Sequence, residues 1–487
     1  MNIVGRQREL KQLTHLLQST SAEFCTVVGR RRIGKTYLIR QFFETKKVVF
    51  FNATGMKNGA INIQIQHFAE QIGEAFLNGI TPQLMNTWES AFRTLTDAIQ
   101  NVKKTKKIIL FLDEFPWMAT RNSRVLQTLD YYWNQHWSKD SRVKLIVCGS
   151  SASWIIDKII ANQGGLHNRT TQMIHLEPFT LNETKQYMNK SGFKLNHKQI
   201  TQAYIVTGGV AYYLSKFNSN LSIDQNIDEL AFSKNSFLLK EFDNLFASLF
   251  DQHELYIDII RAIATHHAGI GQKDLFPKLK MTKGSGLLNK LKSLENCSFI
   301  TSFVPLYHKE RGIYYKVSDE YTVFYLNWIE PIKNMLTNKS LGKNYWEKRK
   351  VTPQWRSWSG YAFESICHKH STQISAALGI SATSVPSTWR YIPSKGSMED
   401  GTQIDLLFDR DDEAITLCEI KFTDTPFAID KRYAANLLRK IEIFRTRTTT
   451  TKQLFLAMVS ASGLKKTMYS EEIVHAVVII DDLFRAV

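Results

Sequence analysis

The sequence predicts a multidomain α/β chain, and three patterns in its 487 residues predict it. Short apolar runs alternate with helical stretches from Glu23 to Trp154. A helical middle region then gives way to short strands. Near the end, two apolar arms flank a charged turn in "QIDLLFDRDDEAITLCEIKF", from Gln403 to Phe422.

Each element has a local cause. "EFCTVVGRRRIGKTYLIRQFF" is an apolar strand, a loop with two glycines and an amphipathic helix. "KKVVFFNATG" is a second strand, followed by helical sequence to about Gln100. "KKIILFLDEFPWM" is a buried strand ending in two acids, and "RVKLIVCGSSASW" is another that ends in small polar residues. Strands separated by helices imply a parallel sheet. From Pro178 to about Asn244 the pattern is helical. From about Leu255 to Pro331 it gives three helices, "ELYIDIIRAIATHHAG", "QKDLFPKLK" and "GSGLLNKLKSLE", then short strands. In the third helix, Leu287, Leu288, Leu291 and Leu294 are expected on one face. "LGKNYWEKRKVTPQW" reads as a basic, aromatic linker. From about Trp355 the chain is helical, then β-rich, then α/β.

Composition narrows the class. With 43% hydrophobic and 22% charged residues, this is an ordinary globular chain rather than a disordered one. The net charge of +17 favours a polyanionic partner, most simply nucleic acid. The five cysteines are widely spaced and never form C-x-x-C, which fits reduced thiols and argues against a zinc site. The first residues lack a signal peptide's apolar core, and no apolar run is long enough to span a membrane. A cytoplasmic protein is expected. "LDYYWNQHW" could be a base-stacking stripe, but core of the first domain is the better reading. The scattered histidines show no ligand spacing.

Gly29 to Thr36, "GRRRIGKT", matches G-x-x-x-x-G-K-[ST] between a strand and a helix. Gly29 and Gly34 let backbone N–H groups curl round phosphate oxygens. The helix N-terminus adds positive potential there. Lys35 would reach the β- and γ-phosphates of ATP, and Thr36 would ligate Mg²⁺. "IILFLDEF" supplies Asp113 for Mg²⁺ through water and Glu114 to orient the attacking water.

Together "VGRQREL", "GRRRIGKT", "LFLDEFPWM", "CGSSASW", "EPFT" and "TGGVAYYL" make residues 3–215 resemble the archaeal-type ATPase family of the STAND branch of AAA+ proteins. The resemblance implies that Ser150 or Ser151 is a polar sensor and that Arg169 senses the γ-phosphate. It places Arg30, Arg31 and Arg32 as positive charge near the phosphates. Two positions depart from the family pattern. His167-Asn168 stands for Tyr-Gly before Arg169, and Ala211 stands where the family tends to have Pro. The middle helices and strands resemble a winged helix, used either for DNA or as a spacer.

In the Gln403–Phe422 stretch, alternation puts Glu419 and Lys421 on one face. The "RDDE" turn can bring Asp405 beside Glu419. Two carboxylates and a nearby backbone carbonyl suit Mg²⁺ or Mn²⁺. Lys421 can hold the attacking water and offset charge on phosphate. This D…E-x-K pattern resembles the PD-(D/E)XK nuclease fold over about residues 355–460. The resemblance implies a preceding helix with an acid, met by Glu364 in "GYAFESICHKH", as a further metal-linked carboxylate. Lys431 and Tyr433 are weaker candidates for phosphate contact.

The organisation expected is a P-loop ATPase core at 1–177, a helical lid at 178–249, a winged helix at 250–335 and a nuclease-like domain at 345–487. The function expected is ATP-regulated cleavage of nucleic acid, with DNA the preferred polymer, in defence or repair. An ATP-dependent homo-oligomer is a further expectation. The rivals are an ATP-switched regulator whose nuclease-like domain only binds DNA or protein, and a transcription regulator acting through the winged helix.

Overall fold

A computed structural model describes residues 3–83, 85–120, 122–160, 168–279, 285–307, 312–338, 341, 344–391, 393 and 401–486. The chain divides into two compact units. One comprises Met1–Pro178 with Leu288–Ser298, the other Phe179–Leu287 with Phe299–Val487.

The first unit is built on a five-stranded sheet. Its strands are β1 (Glu23–Val28), β2 (Val49–Thr54), β3 (Ile108–Asp113), β4 (Val143–Cys148) and β5 (Gln172–His175), in the order β2-β3-β4-β1-β5. All its pairings are parallel. Parallel strands need crossovers, and helices supply them on the faces. Sheet faces covered this way leave no place for alternation. Accordingly β3 and β4 are buried at every position. Phe24, Phe51, Phe68, Phe92, Leu110 and Leu145 belong to one core cluster. Tyr132, Trp133 and Trp137 of the aromatic stripe also lie in it, so the stripe is core, with Tyr131 the exposed exception.

The second unit holds two sheets. In the smaller, β6 (Ile270–Gly271), β7 (Ile300–Phe303) and β8 (Tyr314–Val317) run in the order β6-β8-β7, antiparallel throughout. Helices His253–Ala264 and Gln272–Lys278 precede β7 in this unit, and a further helix, Ser285–Asn296, passes into the first unit from Leu288 on. Leu287, Leu291 and Leu294 of the last helix are buried, but Leu288 is 44% exposed. The buried stripe is therefore narrower than periodicity suggests, and Leu288 lies one position off it.

The larger sheet has the order β13-β12-β11-β10-β9. Its strands are β9 (Val385–Tyr391), β10 (Thr402–Asp409), β11 (Ala414–Lys421), β12 (Gln453–Ser460) and β13 (Ala476–Ile479). β9, β10 and β11 form an antiparallel meander. The Lys431–Thr448 helix then crosses over to a parallel β12. The helix Pro353–Lys369 precedes the sheet.

The segment read as a linker is packed instead. Trp346 is 1% exposed within the Tyr345–Lys350 helix. Its ring stacks on Phe232 at 5.5 Å and meets Trp355 at 5.0 Å and Trp328 at 5.3 Å. Burying such a side chain contributes roughly 1.5–3 kcal/mol, which a solvated linker would forgo. Lys350 of the same helix pairs with Asp224 at 2.8 Å. Within this unit Lys369 also bonds Glu320 at 2.7 Å, and Leu306 N–H donates to the Thr388 carbonyl at 3.1 Å.

Candidate functional sites

The first site lies where β1 ends. Gly29 has φ 145° and Gly34 has φ 95°, angles at which a side chain is strained. A Cβ on Gly29 would come within 2.2 Å of the Leu176 carbonyl oxygen, whereas one on Gly34 would meet nothing within 4 Å. Gly29 thus serves close packing, and Gly34 serves backbone angle and open access. Arg32 also carries a positive φ, 77°. The helix Lys35–Phe43 starts at Gly34, so its first N–H groups face the loop.

Lys35 is 6% exposed, and its ammonium donates to the Gly29 carbonyl at 2.8 Å and to the Arg30 carbonyl at 2.9 Å. Its head is therefore held under the loop. The Thr36 hydroxyl donates to Asp113 Oδ2 at 2.8 Å. Burial pushes the Asp113 carboxyl up. The Thr36 hydrogen bond opposes that rise, and the Glu114 charge adds to it. A divalent cation would answer that strain, and a hydroxyl beside a carboxylate suits a hard cation. The donor set therefore fits Mg²⁺ with a nucleotide.

Glu114 follows β3 with φ 45°, and its Oε2 accepts both Ser150 N–H at 3.0 Å and Ser150 Oγ–H at 2.9 Å. The chain thus brings Ser150, from the end of β4, onto the acid beside Asp113. Arg169 is exposed in the turn before β5, while His167 lies outside the described residues. Arg31 stands over the Trp117 ring at 6.0 Å.

The second site lies on the β10–β11 hairpin. The β10–β11 register ends at Leu406↔Cys418, and Asp405 and Glu419 are the next residues beyond that pair on the two strands. Both are buried, at 9% and 5% exposure. Asp405 Oδ2 accepts the Ile420 N–H at 3.1 Å. Glu419 Oε1 accepts Lys421 Nζ at 2.9 Å and the Tyr433 hydroxyl, while Oε2 accepts Lys440 Nζ at 2.8 Å. Lys421 also stands over the Tyr433 ring at 5.3 Å. His368, on the same helix as Glu364, contacts the Asp405 carbonyl at 2.8 Å.

Charges divide these carboxylates. Burial raises Asp405, and the neighbouring Glu419 raises it further. Burial raises Glu364 too, with Asp405 adding to it. Burial acts the same way on Glu419, but Lys421 and Lys440 overrule it and hold that acid low. A cation here would meet the carboxylate oxygens of Asp405 and Glu419. Among the described residues, however, no group of three or more His, Cys, Asp or Glu side chains is placed to hold a metal. Glu364 therefore completes no three-carboxylate cluster.

Lys440 and Tyr433 are the strongest partners that the hairpin pattern alone misses. They sit seven residues apart on one helix, hence on one face, and that spacing is the signal that could have found Lys440. Lys431 is exposed at the helix start.

Comparison with known proteins bears on the first site. A family model described as an ATPase domain predominantly from Archaea matches residues 3–217. An uncharacterized protein of Methanocaldococcus jannaschii (MJECL04) is 25% identical over 448 residues, covering 90% of this chain and 92% of the relative. Among solved structures, the Walker-type ATPase of Pyrococcus abyssi is 17% identical with a TM-score of 0.49, over 66% of this chain and 96% of that one. The ORC2 protein of Aeropyrum pernix is 15% identical with a TM-score of 0.45, over 69% and 94%. The family match, the loop geometry and the β2-β3-β4-β1-β5 sheet together give this chain an archaeal-type P-loop ATPase domain. No helix among the described residues is long and apolar enough to cross a membrane.

Proposed function

We propose that the chain is an ATP-regulated, divalent-metal-dependent nuclease acting on DNA. Its parts are the ATPase core at 1–177, the helical lid at 178–249, a winged helix at 250–335 and a PD-(D/E)XK-type domain at 345–487. The observation that carries the nuclease reading is Asp405 bonded to the Ile420 N–H of β11, next to Glu419, with Lys421 bonded to that glutamate. The order of helix, antiparallel meander, crossover helix and parallel strand supports the fold assignment. The +17 charge supports a polyanionic substrate.

When bound, Mg²⁺ at either site, or Mn²⁺ at the second, supplies charge neutralisation and an ordered water. Thr36 and Asp113 would hold the first ion, and Asp405 and Glu419 the second, with Glu364 reached through water. The chain does the rest. Lys35, with Gly29, Arg32 and Gly34 around it, binds and orients the phosphates. Glu114 aligns the attacking water and accepts its proton. Ser150 fixes that glutamate, and Arg169 answers the γ-phosphate from its loop. In the second site Lys421 orients water and offsets charge on the reacting phosphate.

A second reading has one observation in its favour. Both Glu419 oxygens are already engaged by Lys421, Lys440 and Tyr433. A domain fixed in that state would bind DNA or protein without cutting, under the control of ATP.

One experiment separates the two. Purified full-length protein is incubated with circular, linear and single-stranded DNA, and with RNA, in Mg²⁺ or Mn²⁺, with and without ATP. Wild type is expected to cut DNA in a nucleotide-dependent way. Asp405→Ala is expected to lose cutting below detection while hydrolysing ATP at the wild-type rate. No cutting of any polymer in any nucleotide state would overturn the nuclease and leave the ATP-switched binder.

A further inference from the structure

We propose that Lys440 is a built-in counter-cation at the second site, which a divalent ion must displace from Glu419. The proposal rests on the metal-dependent reading above. Its basis is the division of one carboxylate among three donors. Glu419 is nearly sealed, at 6% side-chain exposure, and Lys421 and Tyr433 share Oε1. Lys440 alone takes Oε2, at 2.8 Å, with its own side chain 18% exposed. A carboxylate offers about four lone-pair directions, so little acceptor capacity is left for a metal.

The two ammonium groups differ in which oxygen they hold. Lys421 shares Oε1 with the Tyr433 hydroxyl, whereas Lys440 reaches Oε2 from the crossover helix Lys431–Thr448. Its flexible four-carbon stem lets it withdraw without moving the sheet. Tyr433, on the same helix face, also lines an open groove with Asp430, Arg432, Asn436 and Arg439. A divalent ion between Asp405 and Glu419 would repel an ammonium at contact distance. Metal and Lys440 therefore compete for one oxygen.

A lysine that only holds the Glu419 carboxylate in place predicts the opposite result from a cation that competes for it. Removing an orienting lysine weakens or preserves metal binding, whereas removing a competing cation strengthens it. The test is Mn²⁺ binding to nucleotide-free full-length protein, read by the electron spin resonance of free Mn²⁺. Lys440→Met is expected to bind about tenfold more tightly than wild type, the worth of one charge-assisted hydrogen bond lost from the competing state. Lys440→Arg, which keeps the charge, is expected to stay near wild type. Asp405→Asn is expected to remove the site. Should Lys440→Met not fold, Lys440→Gln carries the same expectation. An Asp405-dependent site whose affinity is unchanged or lower in Lys440→Met and Lys440→Gln would overturn displacement and leave the metal reading intact. Absence of any Asp405-dependent Mn²⁺ site in every variant would overturn both.

Discussion

At the first site the lysine leans on carbonyls, whereas at the second two lysines lean on a carboxylate. Lys35 is bonded to the neutral oxygens of Gly29 and Arg30, so its charge is uncompensated and available to a polyanion. The acids there are bonded to hydroxyls, Asp113 to Thr36 and Glu114 to Ser150. Lys421 and Lys440 have spent their charge on Glu419. The same residue types thus produce one site prepared for phosphate and one neutralised from within. What differs is which partner each lysine finds within reach. The first site needs only to open round its ligand. The second has to exchange one cation for another.

The largest expected effect tests the prepared state of the first site. Glu114→Gln is expected to slow ATP hydrolysis by about 10²–10⁴, the usual worth of a positioned general base, with nucleotide affinity unchanged. Lys35→Ala is expected to weaken ATP binding about a hundredfold, since it deletes charge-assisted bonds to phosphate. Calorimetry and a phosphate-release assay read both. Unchanged affinity in Lys35→Ala would break the contrast, because the uncompensated ammonium would then have no ligand.

Next in size is the packing behind the same loop. Gly29→Ala is expected to cost about 2–4 kcal/mol, because the new Cβ meets backbone rather than a movable side chain. Gly34→Ala, with open space around it, is expected to cost less and only through its backbone angle. Urea unfolding followed by tryptophan fluorescence ranks them, and equal midpoints for the two would contradict the clash at Leu176.

The last effect belongs to the second unit and depends on pH, so at neutral pH its titration is not felt. His370 is buried. Its Nδ1–H donates to the Ile366 carbonyl at 2.8 Å, and its Nε2 accepts the Leu181 N–H at 3.0 Å. Burial lowers it to about 4 from an ordinary value of 6.5. Because the folded form takes up its proton only at lower pH, the unfolded chain binds more protons between these values. Stability is therefore full above about 6.5 and is lost as pH falls toward 4, by up to about 3 kcal/mol. His370→Gln is expected to make that part of the profile shallower, with buried His368 supplying a slope of the same sign, and an identical slope in variant and wild type would sink the assignment.

Legibility follows sequence distance. Gly29 to Thr36 are contiguous, and Asp405 and Glu419 share a hairpin, so local pattern finds both. Lys440 stands 21 residues from Glu419, on a crossover helix that no local strand period reaches. The segment read as a linker misled because its charges are visible in the sequence, whereas Phe232 and Trp328, which pack on Trp346, come from elsewhere in the chain. Leu288 satisfied helical periodicity but met no neighbour to bury it.

The His370–Leu181 bond has a consequence for how this chain reaches its fold. It joins residues 189 positions apart. Such a contact forms only after the loop-closure entropy of the intervening chain has been met, which slows folding. During synthesis the helix beginning at Leu181 emerges long before its imidazole partner. A fragment starting at Tyr345 would leave the His370 acceptor, Lys369 and Trp346 without Leu181, Glu320 and Phe232. Expression of the last 143 or so residues alone is therefore expected to give an aggregating product, by the exposed-core route common to incomplete chains, while a fragment from Phe179 onward keeps every one of these partners.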